Sequence, residues 1–317
     1  EDPENLWGSS YMAIAAANQA IEAIDNLGGP EAAGMEAEYA EALICRAYSH
    51  FIIANVFAHS YSTKYSAKDL GVTYMLQPEQ GLNPKYSRNT VAEVYDFIAK
   101  DLEKALPWIS DSYYTVPKYH FNKKAAYAFA TKFYLYYEKY DKAIECADLC
   151  LGTTPGAVLR DWKYMASMTQ DYEVIGNHYI DATLSSNLLL MTAYSKMGLC
   201  FGPYAVYSRY SHGNYLANNE TAIALATLLG SNNSGFYYQP MKVYSATNLD
   251  KVIFWRIPYL FEYTDPVAQI GYYRTVYPAL CTDVTLLERA EAKILTKDFE
   301  GAVEDMKTWV NNISKRN

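Results

Sequence analysis

The chain has 317 residues, half of them hydrophobic and a fifth charged, which suits one large folded core or two ordinary ones and excludes disorder. A net charge of −8 argues against nucleic acid as a partner, which would need a basic face, and against anionic membrane surfaces. No stretch approaches the ~18 consecutive apolar residues that mark a membrane span.

The first predicted element is a helix. Trp7, Tyr11, Ile14, Ile21 and Ile24 recur at helical spacing on one face, and Gly28-Gly29-Pro30 stops it. A second helix is expected over residues 32–58, with Ala40, Ile44, Ala47, Phe51 and Ala54 as its buried stripe. The pattern lapses over 59–87, and a loop of that length in a compact domain is often functional. Thr90 to Glu93 forms a capping box, followed by the helical face of Val91, Val94, Tyr95, Ile98, Leu102 and Ala105 and the stop at Pro107. After a loop carrying Tyr113, Tyr114 and Tyr119, Asn122 is expected to cap a helix that turns at 139–141 into a partner ending at Gly152.

That pair has the register of a tetratricopeptide repeat, with Tyr127, Tyr134, Ala143, Ala147, Cys150 and Pro155 in place. Small residues belong at 143 and 147 because the two helices cross closely there. Residues 286–309 repeat the pattern, with Ala302 matching Ala143 and Phe299 matching Tyr140. A further capping box is expected at Thr285 and Glu288. Residues 158–282 differ: they hold 16 of the 32 tyrosines, and only 220–229 reads as helix. The fold class expected is therefore mostly α, a tetratricopeptide-like scaffold with a long irregular, aromatic-rich insertion. Its parts are a scaffold over 1–157, a ligand-binding insertion over 158–282, and a closing helix pair over 283–317.

Catalytic patterns are sparse. Gly198 to Gly202 has the outline of a nucleophile elbow with Cys200 as nucleophile, but Pro203 follows at once and His212 is too near to complete a triad. The histidines are scattered, no phosphate-binding glycine loop occurs, and the carboxylates read as solvated faces or caps. Cys146 and Cys150 are the best metal pair, four apart on a helix, with packing as the plainer role. No catalytic residue, metal site or cofactor is assigned.

Several segments together resemble the SusD/RagB family of surface nutrient-binding lipoproteins. Residues 7–24, with Ala17-Asn18 at the centre, are similar to the family's first helix. Residues 40–48, with Arg46 and Tyr48, resemble its next helix, and residues 88–105, with Asp101-Leu102, match a third signature. Residues 122–136, 261–265 and 286–292 continue the likeness. The chain begins Glu1-Asp2-Pro3-Glu4, without the lipobox cysteine that family members carry, and stops before their usual C-terminal segment. It is expected to be trimmed at both ends.

The resemblance implies an outer-membrane lipoprotein, exposed outside the cell through an N-terminal lipid anchor, that passes oligosaccharides or other nutrients to a SusC-like TonB-dependent transporter. Sugar C–H faces would stack on exposed rings at ~0.5–1.5 kcal/mol each, giving a Kd of roughly 10 μM to 1 mM after ordering costs. The ligand-binding candidates are His59, Tyr61 and Tyr65 from the long loop, and Trp162, Tyr204, Tyr207, Arg209, Tyr210, Tyr237 and Tyr238 from the insertion. Two other classes stay open: an intracellular tetratricopeptide-type adaptor that binds peptides, and a helical glycosidase.

Overall fold

The computed structural model describes residues 2–81, 84–169, 171–201, 237, 242–244, 251–252 and 256–315, which form two compact units. The first comprises Glu1–Thr153 and Val284–Ala302, the second Thr154–Asp283 and Val303–Asn317.

The described elements of the first unit are helices, with one long loop between the third and fourth. Helix α1 (Asp2–Asn26) ends in the expected glycine turn, where Gly28 and Gly29 take φ of 99° and 94°, values a side chain would resist. The predicted second helix is in fact two: a single turn, α2 (Pro30–Ala33), then α3 (Glu36–Phe57), separated by a left-handed Gly34. α4 (Val91–Ala105) carries the capping box, Thr90 accepting from the Glu93 amide while Glu93 accepts from the Thr90 amide. α5 (Lys123–Tyr136) is capped by Asn122 and pairs with α6 (Tyr140–Leu151). Ala143, Ala147 and Cys150 are fully buried there, as close helix crossing requires. Tyr95, Ile44, Ile53, Ile98, Leu102, Phe129 and Phe133 fill the core, each worth roughly 1.5–3 kcal/mol by its burial.

The closing pair is α10 (Thr282–Leu295) and α11 (Phe299–Ile313). Because α10 begins at Thr282, Thr285 and Glu288 lie inside the helix and form no capping box. Glu288 instead pairs with Lys132 of α5 at 2.6 Å, and burial raises its pKa. Arg289 reaches Asp148 of α6 at 2.7 Å.

The second unit has more regular structure than its sequence suggests. It contains α7 (Trp162–Ser167), α8 (Tyr172–Tyr179), β1 (Asn187–Tyr194), α9 (Met197–Phe201), the short pair β2 (Lys242–Tyr244) and β3 (Lys251–Val252), β4 (Leu260–Asp265) and β5 (Ile270–Cys281). β1, β5 and β4 make an antiparallel sheet in that order, with Tyr194 opposite Arg274 and Glu262 opposite Tyr272. Arg160, buried, ties the unit together: it donates to Asn187 Oδ1 at 2.6 Å and to the Tyr179 carbonyl at 3.1 Å, and lies over the Tyr179 ring. The helix expected over 220–229 lies outside the described residues.

Candidate functional site

The cavity that stands out lies in the first unit, where the long loop after α3 folds back against α1. A polar residue in the middle of each of three apolar helices holds that loop. Arg46 of α3 donates to both oxygens of Asp101 on α4, Nε at 2.8 Å and Nη2 at 2.6 Å, and its Nη1 donates to Asn18 Oδ1 of α1 at 2.8 Å. Burial alone would lower the Arg46 pKa, but the Asp101 carboxylate holds it above its ordinary value, so the guanidinium stays charged. The remaining donors turn to the loop: Arg46 reaches the Leu76 carbonyl at 3.2 Å, and the Asn18 amide reaches the Met75 and Gln77 carbonyls at 3.0 and 3.3 Å. Tyr74 closes the network by donating to Asp101 at 2.6 Å.

His50 completes the floor. Its Nε2 accepts from the Met75 amide at 3.1 Å, which leaves Nδ1 to donate to the Arg46 carbonyl at 2.9 Å, so the ring is neutral with its proton on Nδ1. Burial lowers its pKa to about 3. The base of the loop is fixed just as firmly. A Cβ on Gly71 would stand 3.0–3.1 Å from Val94 and the Thr90 backbone, tighter than ordinary contact, so a side chain there would have to push the loop a few tenths of an ångström off α4.

The loop so held walls a groove of about 490 Å³, within the ~300–1,000 Å³ usual for small-ligand sites. Trp7, Tyr11, Met12 and Asn18 supply the α1 side, and Thr73, Gln77, Glu79 and Tyr86 the loop side. Trp7 is 40% exposed at the mouth. Behind it runs a ladder of rings: Trp7 to Tyr11 at 5.0 Å, Tyr11 to His50 at 6.2 Å, His50 stacked on Tyr74 at 3.7 Å, and Tyr74 on Phe97 at 5.1 Å. Phe57 meets Trp7 edge-on and fixes its plane. The Tyr11 hydroxyl donates to the Thr73 carbonyl, and burial raises its pKa to about 12. A ring held by neighbours on one side and open on the other can stack a planar apolar face at little cost in entropy.

The predicted candidates fall elsewhere. Trp162 is a correction: it packs in the core of the second unit with Met165, Tyr172 and Ile175, and its indole N–H donates to Asp283 at 3.4 Å, so it offers no open face. Tyr237 packs against the same cluster. Tyr61 lies between Tyr95 and Tyr137 at 5.0 and 4.8 Å and anchors its loop. Tyr65 is exposed, with Lys64 over its ring, and His59 is exposed beside Asp69. None of these lines the groove. Tyr204, Tyr207, Arg209, Tyr210 and Tyr238 lie outside the described residues.

The elbow geometry is not formed. Cys200 sits within α9 rather than in the turn between strand and helix where the motif holds its nucleophile. Cys146 and Cys150 are buried packing residues whose thiols are pushed up to about 12 by desolvation, away from the thiolate a metal would need. No group of three or more metal-ligating side chains occurs among the described residues, and no described helix is long and apolar enough to cross a membrane.

Residues 1–135, the part that builds the groove, match the SusD-like family model described as "Starch-binding associating with outer membrane". Among solved structures, the whole chain is similar to a SusD superfamily protein from Bacteroides thetaiotaomicron, at 18% identity and a TM-score of 0.65 over 98% of this chain and 66% of the other. The first 135 residues thus match a SusD-like family model, and the chain as a whole has the SusD-like fold. A putative sugar binding protein from Bacteroides vulgatus shares this SusD-like fold at 18% identity and a TM-score of 0.66, over 98% of this chain and 65% of that one. So does a "Laminarin binding SusD-like protein", at 16% identity and a TM-score of 0.52, over 98% and 72%. The chain thus spans just under two thirds of the length of the first SusD-like structures it matches. No curated protein matches it in sequence.

Proposed function

We propose that this SusD-like protein captures oligosaccharides at the outer face of the outer membrane and passes them to a SusC-like TonB-dependent transporter, without covalent chemistry. The observation that carries the reading is the groove itself: an indole and two phenols, Trp7, Tyr11 and Tyr86, arranged around a concave surface with hydroxyl and carboxylate oxygens on its wall. Sugar rings have apolar C–H faces and polar edges, and such a surface matches both at once. The family's description as starch-binding, and a relative named for laminarin binding, support a glycan as the ligand class.

Three stacking rings and a few hydrogen bonds give a Kd of roughly 10 μM to 1 mM. Affinity of that order suits a protein that must release its ligand to a transporter. In the family the protein is held at the membrane through a lipid anchor; the residues here supply the capturing part. The helical scaffold serves as the frame, and the unit from Thr154 onward is proposed to add contacts through Tyr204, Tyr207, Arg209, Tyr210 and Tyr238.

The test is isothermal titration with the oligosaccharide that the wild-type protein binds. Substituting Trp7→Ala with Tyr86→Ala is expected to abolish measurable binding without unfolding the chain. If that pair binds normally while Tyr207→Ala with Tyr210→Ala does not, the site belongs to the insertion instead. Incubation with polysaccharide is expected to release no reducing ends.

A further inference from the structure

The groove's hydroxyl groups have already given away their protons. Tyr11 donates to the Thr73 carbonyl at 2.8 Å, Thr73 Oγ1 to the Ser87 carbonyl at 3.0 Å, and Tyr86 to Glu79 Oε1 at 2.8 Å. A hydroxyl has one proton to donate and two lone pairs to accept with, so each of these is left as an acceptor. The Asn18 amide is likewise turned to the Met75 and Gln77 carbonyls, and its oxygen is taken by Arg46. Among the described residues, no lysine or arginine lines the groove. Behind the wall, Arg46 is buried and engaged with Asp101, Asn18 and the Leu76 carbonyl, and Arg88, whose charge reaches Tyr11, donates to the Gly71 and Leu70 carbonyls. The wall therefore offers lone pairs and one carboxylate, Glu79, beside two uncharged donor side chains, the Trp7 indole N–H and the Gln77 amide.

We infer that the groove selects uncharged glycans, whose hydroxyls donate to Tyr11, Tyr86 and Glu79, and rejects uronate- or sulfate-bearing ones, with Glu79 as the residue that sets this discrimination. A ligand carboxylate or sulfate is an acceptor without a proton. Against this wall it meets lone pairs and a like charge, and loses its water for at most the Trp7 and Gln77 N–H groups, with no cation on the lining to offset its charge. Repulsion from Glu79 alone amounts to about fivefold in affinity for one anionic group at ~4 Å in water-like surroundings. The inference rests on the groove being the glycan site, and the experiment separates the two.

The wild-type protein is run through native gels containing uncharged polysaccharides (α-1,4-glucan, β-1,3-glucan, β-mannan, xylan) or acidic ones (polygalacturonate, alginate, carrageenan). Salt at 0.15 M screens the protein's overall charge beyond about 8 Å. Retardation by at least one uncharged polysaccharide and by no acidic one is expected. Oligosaccharides of matched length are then titrated into Glu79→Gln, which keeps the side chain's shape; uronate affinity is expected to rise about fivefold or more relative to neutral affinity. Acidic polysaccharides that retard wild type, with retardation lost in Trp7→Ala, would overturn the selectivity and keep the groove. Binding of uncharged glycan unaltered by Trp7→Ala would overturn both, as would retardation by none of the panel.

Discussion

Two tryptophans at similar positions in their respective units, each near the start of a helix, have opposite fates. Trp162 is packed among Met165, Tyr172 and Ile175 and is 8% exposed, while Trp7 sits at the mouth of a groove with neighbours on one side only. The difference is one of support. In the second unit the surrounding rings close over the indole. In the first, the polar bonds from Asn18, Arg46, Asp101 and His50 hold the loop at Met75 to Gln77 open against α1. Aromatic content alone does not make a binding surface; a rigid polar floor beneath the rings does.

The contrast can be broken most severely at its structural ends. Trp162→Ala should destabilise the protein by ~3–5 kcal/mol, seen as a shift of the urea midpoint, because it empties a packed core. Asp101→Ala should cost a similar ~3–5 kcal/mol by leaving Arg46 buried without its carboxylate, and should also abolish glycan binding as the loop loosens. Acid gives a milder test. The unfolded chain protonates His50 near its ordinary 6.5, the folded chain only at about 3, so its contribution is complete above pH 6.5 and falls away as pH drops through that window. About 2–3 kcal/mol should be lost by pH 4.5, and His50→Asn should flatten that slope in pH-dependent denaturation curves.

Trp7→Ala sharpens the comparison from the other side. It should leave stability within ~1 kcal/mol of wild type while weakening glycan binding about tenfold or more by calorimetry. Two other exposed rings serve as a control: Tyr194 and Tyr272, 69% and 57% exposed, stand 5.4 Å apart on the sheet of the second unit. Replacing both by alanine should leave that binding unchanged. The smallest effect expected is Thr90→Ala, which removes the capping box of α4 at a cost of ~1 kcal/mol by thermal denaturation.

The helical half was legible because its signals are local. The Thr90 cap, the Asn122 cap and the small residues at Ala143 and Ala147 each act within one helix or one helix pair, and periodicity reports them directly. The sheet was not. β5 runs Ile-Gly-Tyr-Tyr-Arg-Thr-Val-Tyr, rich in aromatic and β-branched residues and joined to β4 by an Asp-Pro turn, but its partners on β1 lie 80 residues away or more, from Tyr194 back to Asn187. Tyrosine density does not by itself tell an exposed ring from a packed one: Tyr172, Tyr179, Tyr237 and Tyr259 pack around Trp162, while Tyr194 and Tyr272 are exposed.

The groove was missed although its supports were in view. Asn18, Arg46 and Asp101 are among the residues that carry the family likeness, and each is a polar side chain on an otherwise apolar face. A buried amide, guanidinium and carboxylate on α1, α3 and α4 must find one another, and whatever lies between them is held in place. That signal, together with Trp7 and Tyr11 one turn apart on α1, could have pointed to the loop at 73–86.

A crystal structure of the protein soaked with an uncharged oligosaccharide that it binds puts the account to its most direct test. A pyranose face against the Trp7 indole, with hydroxyls reaching Tyr11 and Glu79, is the predicted result. A sugar held on the second unit while the groove stands empty would contradict it.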